Sequence, residues 1–123
     1  MKRFFLAVFL FCYSTASQAQ TPYFQGKTIR IVSGYPAGDV NDLWPRLIAL
    51  HMTKYIPGNP TFIIQNMTGA SSMIAANYVF SVAKPDALTF GWIAPTLYFD
   101  QLIGRKEVQY DWSKYSFIGS PSE

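Results

Sequence analysis

Three short runs rich in β-branched and aromatic residues, "TIRIVS" at 28–33, "TFIIQ" at 61–65 and "LTFGWI" at 88–93, are each bounded by turn residues and read as strands. The segments between them are far too long for hairpins and carry a helical period, which constrains the fold more than any other feature of the chain. In the first, Leu43, Leu47 and Leu50 recur at i, i+4 and i+7 with Trp44, Ile48 and Met52 on the neighbouring stripe, and the pattern stops at "IPGNP", 56–60. Asp42 serves as the expected N-cap, which leaves Pro45 in the first turn, where its missing N–H costs nothing. In the second, Ile74, Tyr78 and Val82 with Ala75 and Val79 form the expected inner face, starting at Ser71 or Ser72 and stopping at Lys84-Pro85-Asp86. Strands joined by helical crossovers pair in parallel, and near-continuous apolar strands need cover on both sides. The fold class is therefore α/β, a parallel sheet with helices on both faces.

With 123 residues, half of them apolar, the chain suffices for one domain or part of one. Phe62, Phe90, Trp92 and Trp44 are expected to fill the core. After the third strand, 95–104 reads as a short helix, and "EVQYDWSKYSFIGSPSE" alternates only weakly. Tyr98, Phe99, Tyr110, Trp112 and Tyr115 exceed what so small a core absorbs and are expected at a surface awaiting a partner.

Lys2 and Arg3, an apolar run from Phe4 to Tyr13, and a small-residue site ending at Ala19 match a secretory signal peptide over 1–19. The run is too short to span a membrane, so no stable insertion is expected after cleavage. Removing Lys2 and Arg3 leaves eight basic against seven acidic side chains, a net of +1, so the basic pI is no evidence for nucleic acid, which would need a clustered cationic face, and no nucleic-acid partner is expected. Cys12, the single cysteine, falls inside the leader, and a cysteine-free mature chain suits an oxidising compartment without a disulfide scaffold.

Ligands of an open parallel sheet sit beyond the carboxyl ends of the strands. Three loops lie there: "GYPAGDVND" after the first strand, "NMTGASS" after the second and "APT" after the third. Glycine, alanine and serine at two helix starts let backbone N–H groups approach a negative charge closely, with the helix dipole in the same sense. The candidate ligand-binding residues are Tyr35, Pro36, Ala37, Gly38, Asp39, Asn41 and Asp42 from the first loop, Gly69, Ala70, Ser71 and Ser72 from the second, and Pro95 and Thr96 from the third. Asp39 either caps the following helix or faces the cleft, where it would pair with the cationic group of an amino-acid ligand. Gly26-Lys27-Thr28 is no P-loop, since Thr21 stands where the first glycine belongs and the triplet precedes a strand. Asn66-Met67-Thr68 matches a glycosylation acceptor, a pattern common by chance, and His51 stands alone and reads as a helix-surface residue. No nucleophile, base and orienter set is visible, and neither a cofactor nor a metal is expected.

The stretches "KTIRIVSGYPAGDVNDLWPRL" and "GNPTFIIQNMTGASSMIAANYVFSVAKPDALTFGW" resemble the amino-terminal part of the periplasmic solute-binding proteins of tripartite tricarboxylate transporters, the Bug family. Typical members carry Pro-Ala-Gly-Gly closing in Asp, then Asn-x-Pro-Gly-Ala-Gly-Gly, then Pro-Asp-Gly. Here those places hold Pro36-Ala37-Gly38-Asp39 with Asp42, Asn66-Met67-Thr68-Gly69-Ala70-Ser71-Ser72, and Pro85-Asp86-Ala87. The resemblance implies one lobe of a two-domain clamshell in the periplasm of a Gram-negative bacterium, with no enzymatic activity. Its implied partners are a small carboxylate or amino-acid ligand, held mostly by backbone amides of the first two loops, and the membrane permease subunits of the transporter. It also implies a signal peptide over 1–19, a first α/β lobe over 20–118 and the start of a crossover to a second lobe at 119–123, and hence a partial or truncated binding protein. The departures at Asp39, Val40, Thr68, Ser71 and Ser72 leave the ligand's identity open. The alternative class is the amino-terminal part of an α/β enzyme acting on an anionic substrate, with its catalytic residues elsewhere; a third possibility is a product with no function of its own.

Overall fold

The computed structural model describes residues 20–121; the expected leader, with Cys12, lies outside the described residues. Strand β1 (Thr28–Ser33) is central, flanked by β2 (Thr61–Asn66) and β3 (Thr89–Trp92), all parallel in the order β2-β1-β3. The expected strands are found within one residue at each end. Helix α1 (Val40–Met52) connects β1 to β2, and α2 (Met73–Ser81) connects β2 to β3. The two crossovers leave β1's neighbourhood in opposite directions, so the right-handed rule puts the two helices on opposite faces of the sheet. A short helix α3 (Leu97–Leu102) follows β3. No helix among the described residues is long and apolar enough to cross a membrane.

The core lies along β1 and under α2. Ile29 and Val32 are fully buried, and Met73, Ala76, Leu97 and Tyr110 form a cluster backed by Ile93, Ala94, Val108, Trp112 and Tyr115. The weakly alternating tail forms no strand. It folds back as an extended segment with one 3-10 turn at Trp112–Lys114. There the Tyr110 hydroxyl donates to the Leu97 carbonyl at 2.8 Å, and that of Tyr115 to the Ala76 carbonyl at 2.7 Å. Tyr110, Trp112 and Tyr115 therefore have partners inside the lobe, contrary to expectation, and stack edge to face or tilted. Tyr98 and Phe99 remain exposed as expected.

Both helices depart from their expected phase. Leu43, Trp44, Leu47 and Leu50 are exposed, and α1 buries Asp42 and Pro45 instead. On α2 the buried residues are Met73, Ala75 and Ala76, while Ile74 and Val82 face outward. Polar tethers at the loop ends, Asp42 to Asn66 on α1 and Ser72 to Gly34 on α2, hold the helices in this phase.

The N-cap of α1 is Asp39, with its carboxylate accepting from the Asn41 N–H at 2.8 Å, and not Asp42, which lies inside the first turn. Pro45 consequently falls a turn deeper than expected and removes the donor that the Asn41 carbonyl would have used. The Trp92 indole N–H supplies it, donating to that carbonyl at 2.8 Å.

Candidate functional site

Parallel strands deliver their loops to one edge, and side-chain hydrogen bonds lock those loops together. Asp42, fully buried, accepts from the Gly38 N–H at 3.1 Å, from Arg46 Nε at 2.7 Å and from Asn66 Nδ2 at 2.6 Å. Asn66 Nδ2 also donates to the Tyr35 carbonyl at 2.8 Å, and Asn66 Oδ1 accepts from Arg46 at 3.1 Å. One carboxylate thus ties the first loop, α1 and the end of β2 into a unit. Burial pushes the Asp42 carboxyl up, but donation from Arg46, Asn66 and Gly38, with the Arg46 charge, outweighs it and holds the carboxyl below its ordinary range. Asn66 is thereby engaged within the fold, so its match to a glycosylation acceptor is incidental.

Beyond Asn66, the second loop approaches the first most closely at Gly34. Ser72 Oγ donates to the Gly34 carbonyl at 3.2 Å in a buried position, and a Cβ on Gly34 would fall 2.3 Å from that of Ser72. Only glycine permits this approach. From Gly69 the backbone turns left-handed for four residues, with φ of 133° at Gly69, 45° at Ala70, 52° at Ser71 and 75° at Ser72. Three of the four carry a Cβ, a conformation that costs such residues about 1–2 kcal/mol each. A 3-10 turn at Ala70–Ser72 leads into α2, with Ser72 at the N-cap position.

These loops enclose a cleft of about 370 Å³ lined by Gly34, Tyr35, Pro36, Thr68, Gly69, Ser71, Ser72 and Ala94. Five of the candidate residues, Tyr35, Pro36, Gly69, Ser71 and Ser72, are therefore brought together. Asp39 and Asn41 are occupied at the α1 N-cap, Asp42 and Gly38 in the buried network, and Ala37, Ala70, Pro95 and Thr96 lie outside the lining. Gly34, Thr68 and Ala94 were not anticipated as lining residues, nor Arg46 and Asn66 as their support. Gly34 had a signal, a glycine directly between a strand and its turn; the contact from Asn66 to Asp42 spans 24 residues and left none.

No cationic side chain lines the cleft. Of the lining residues, Thr68 and Gly69 have backbone N–H groups with no acceptor among the described residues. The Tyr35 phenol is pushed up by burial and then by the nearby Asp39 charge, which keeps it protonated and able to donate. His51 is exposed on α1, away from the lining, and no group of three metal-ligating side chains occurs among the described residues.

Fold and cleft define an α/β lobe with a small open cleft at the carboxyl edge of a parallel sheet. Within that class the chain is similar to the "UPF0065 protein in gbd 5'region" of Cupriavidus necator, at 35% identity over 82 residues, 67% of this chain. The match reaches 24% of the relative, so the chain accounts for only a fraction of that protein's length. No protein-family profile matches.

Proposed function

We propose that the chain is the ligand-capturing first lobe of an extracytoplasmic solute-binding protein, exported through the leader at 1–19 to the periplasm, where it holds a small carboxylate for a tripartite tricarboxylate-type transporter. The observation that carries this reading is the pair of unpaired main-chain N–H groups at Thr68 and Gly69, at the start of the left-handed run beside Gly34 and at the sheet edge where such ligands bind. UPF0065 is the name of the Bug family, so the similarity to a UPF0065 protein agrees with the resemblance carried by the three turns. Because Asp39 is engaged as a helix cap, the reading favours a simple carboxylate over an amino acid whose ammonium would need a counter-charge.

Two or three amide contacts to a charged group, at about 1.5–3 kcal/mol each and less the cost of association, give roughly millimolar affinity for one lobe. The test is a titration of the ¹⁵N-labelled chain with succinate and with citrate at constant ionic strength. Saturable shifts at the Thr68 and Gly69 amides are expected. If those amides move no more with succinate or citrate than with chloride, the reading fails. Export is checked separately, by the mass of the chain recovered from periplasm, which should begin after Ala19.

A further inference from the structure

At the other edge of the sheet, the central strand carries a charge. Arg30 lies on β1 in register with Ile63 and Thr89, and with Tyr78, Lys84 and Asp86 it lines a second cleft of about 380 Å³. Of the guanidinium's five N–H donors, one is engaged, NH1 on the Tyr78 hydroxyl at 3.3 Å. Its Nε is buried without a partner, and among the described residues neither Arg30 nor Lys84 has a carboxylate within ion-pair distance. Asp86, the acidic residue in the lining, accepts from the Leu88 N–H at 3.0 Å and so is tied to its own turn. The lining therefore has two cations, one of them on the middle strand of a sheet, against one committed carboxylate. Charges in such positions are held with counter-charges, because an unpaired one is expensive to remove from water.

We infer that this cleft is an oxyanion site, taking a carboxylate or phosphate group between the Arg30 guanidinium and the Lys84 ammonium. The guanidinium supplies a planar donor pair and Lys84 a mobile point charge, the combination that suits a small oxyanion. The site does not depend on the carboxyl-edge cleft, which lies beyond the opposite ends of the same strands.

The test follows the arginine side-chain resonances of the ¹⁵N-labelled chain during separate titrations with inorganic phosphate and with acetate, chloride holding the ionic strength. The Arg30 Nε signal should move saturably in the low-millimolar range while Arg46 and Arg105 stay within the chloride control; whichever titrant saturates first identifies the preferred oxyanion. Lys84→Met, at an exposed position, should weaken binding about tenfold with the fold intact, and Arg30→Met should abolish it. The inference is overturned if Arg30 responds no more than Arg105 to either titrant, or if Lys84→Met binds like the parent. Shifts confined to Thr68 and Gly69 would place the oxyanion in the other cleft and equally refute it.

Discussion

Asp42 is the residue on which the candidate site rests. Three donors converge on a carboxylate with no solvent exposure, so its loss leaves the Gly38 N–H and Arg46 Nε without that acceptor and reduces Asn66 Nδ2 to its bond with the Tyr35 carbonyl. Asp42→Asn should cost about 2–3 kcal/mol at pH 7, measured by urea denaturation. Its pH dependence has a fixed sign. The folded carboxyl titrates below its unfolded value of 3.8, so its contribution is present above that pH and is lost as the pH falls through the folded value. The half-exposed Asp111, lowered by its Ser113 hydrogen bond and then by Lys114, despite some opposing burial, acts in the same direction. Melting curves should therefore show the gap between Asp42→Asn and the parent at its full size at pH 7 and narrowing as the pH falls below 3.8; a constant gap would contradict this assignment. The left-handed serines differ from one another. Ser71 makes no compensating bond, so Ser71→Gly should raise the urea midpoint by the equivalent of about 0.5–1 kcal/mol, the relieved strain less glycine's added freedom in the unfolded chain. Ser72→Gly gives up the bond to Gly34 and should gain almost nothing.

At the scale of elements, α1 carries a proline in its second turn and survives because another element serves the carbonyl that Pro45 abandons. This coupling is measurable. Trp92→Phe should cost about 1 kcal/mol in the parent and much less in a Pro45→Ala background, where the new N–H supplies the missing donor; additivity in this double-mutant cycle would show the indole bond to be inert. The strands were readable from sequence because β-branched runs and their bounding turns are local signals, and all three lie within a residue of expectation. Helix rotation was not. Periodicity shows that a helix has an apolar stripe but not which side meets the sheet, and here Asp42 with Asn66, and Ser72 with Gly34, turn α1 and α2 through contacts 24 and 38 residues apart in the chain. The same contacts account for what was legible of the cleft: turn chemistry located its loops, and long-range bonds decided that Ser72 faces it while Asp42 supports it.

For the molecule as a whole, the outward stripe of Leu43, Leu47 and Leu50, 55%, 49% and 75% exposed, is the consequence of that rotation. Aromatic residues of the tail, expected to drive association, are instead largely absorbed into the lobe, so the stripe takes over that role. The chain should self-associate at tens of micromolar in sedimentation velocity, and Leu43→Glu with Leu47→Lys and Leu50→Glu should restore a monomer without lowering the melting temperature by more than a few degrees. Association unchanged by the triple substitution would shift attention to Tyr98 and Phe99.

The position of β1 at the centre of the sheet also sets a timetable. A chain emerging amino end first presents its middle strand with nothing to pair against: Thr28 waits for Thr61, and Arg30 for Thr89. The Gly34 N–H finds its acceptor, and the Asn41 carbonyl its donor, only when Trp92 arrives. The contacts of Gly34 and Asn41 with Trp92 are thus delayed until most of the lobe has emerged, and distant pairing of this kind is slow to form. Under the export proposed above, such an order of assembly would suit a chain threaded through a membrane unfolded and folding only on the far side.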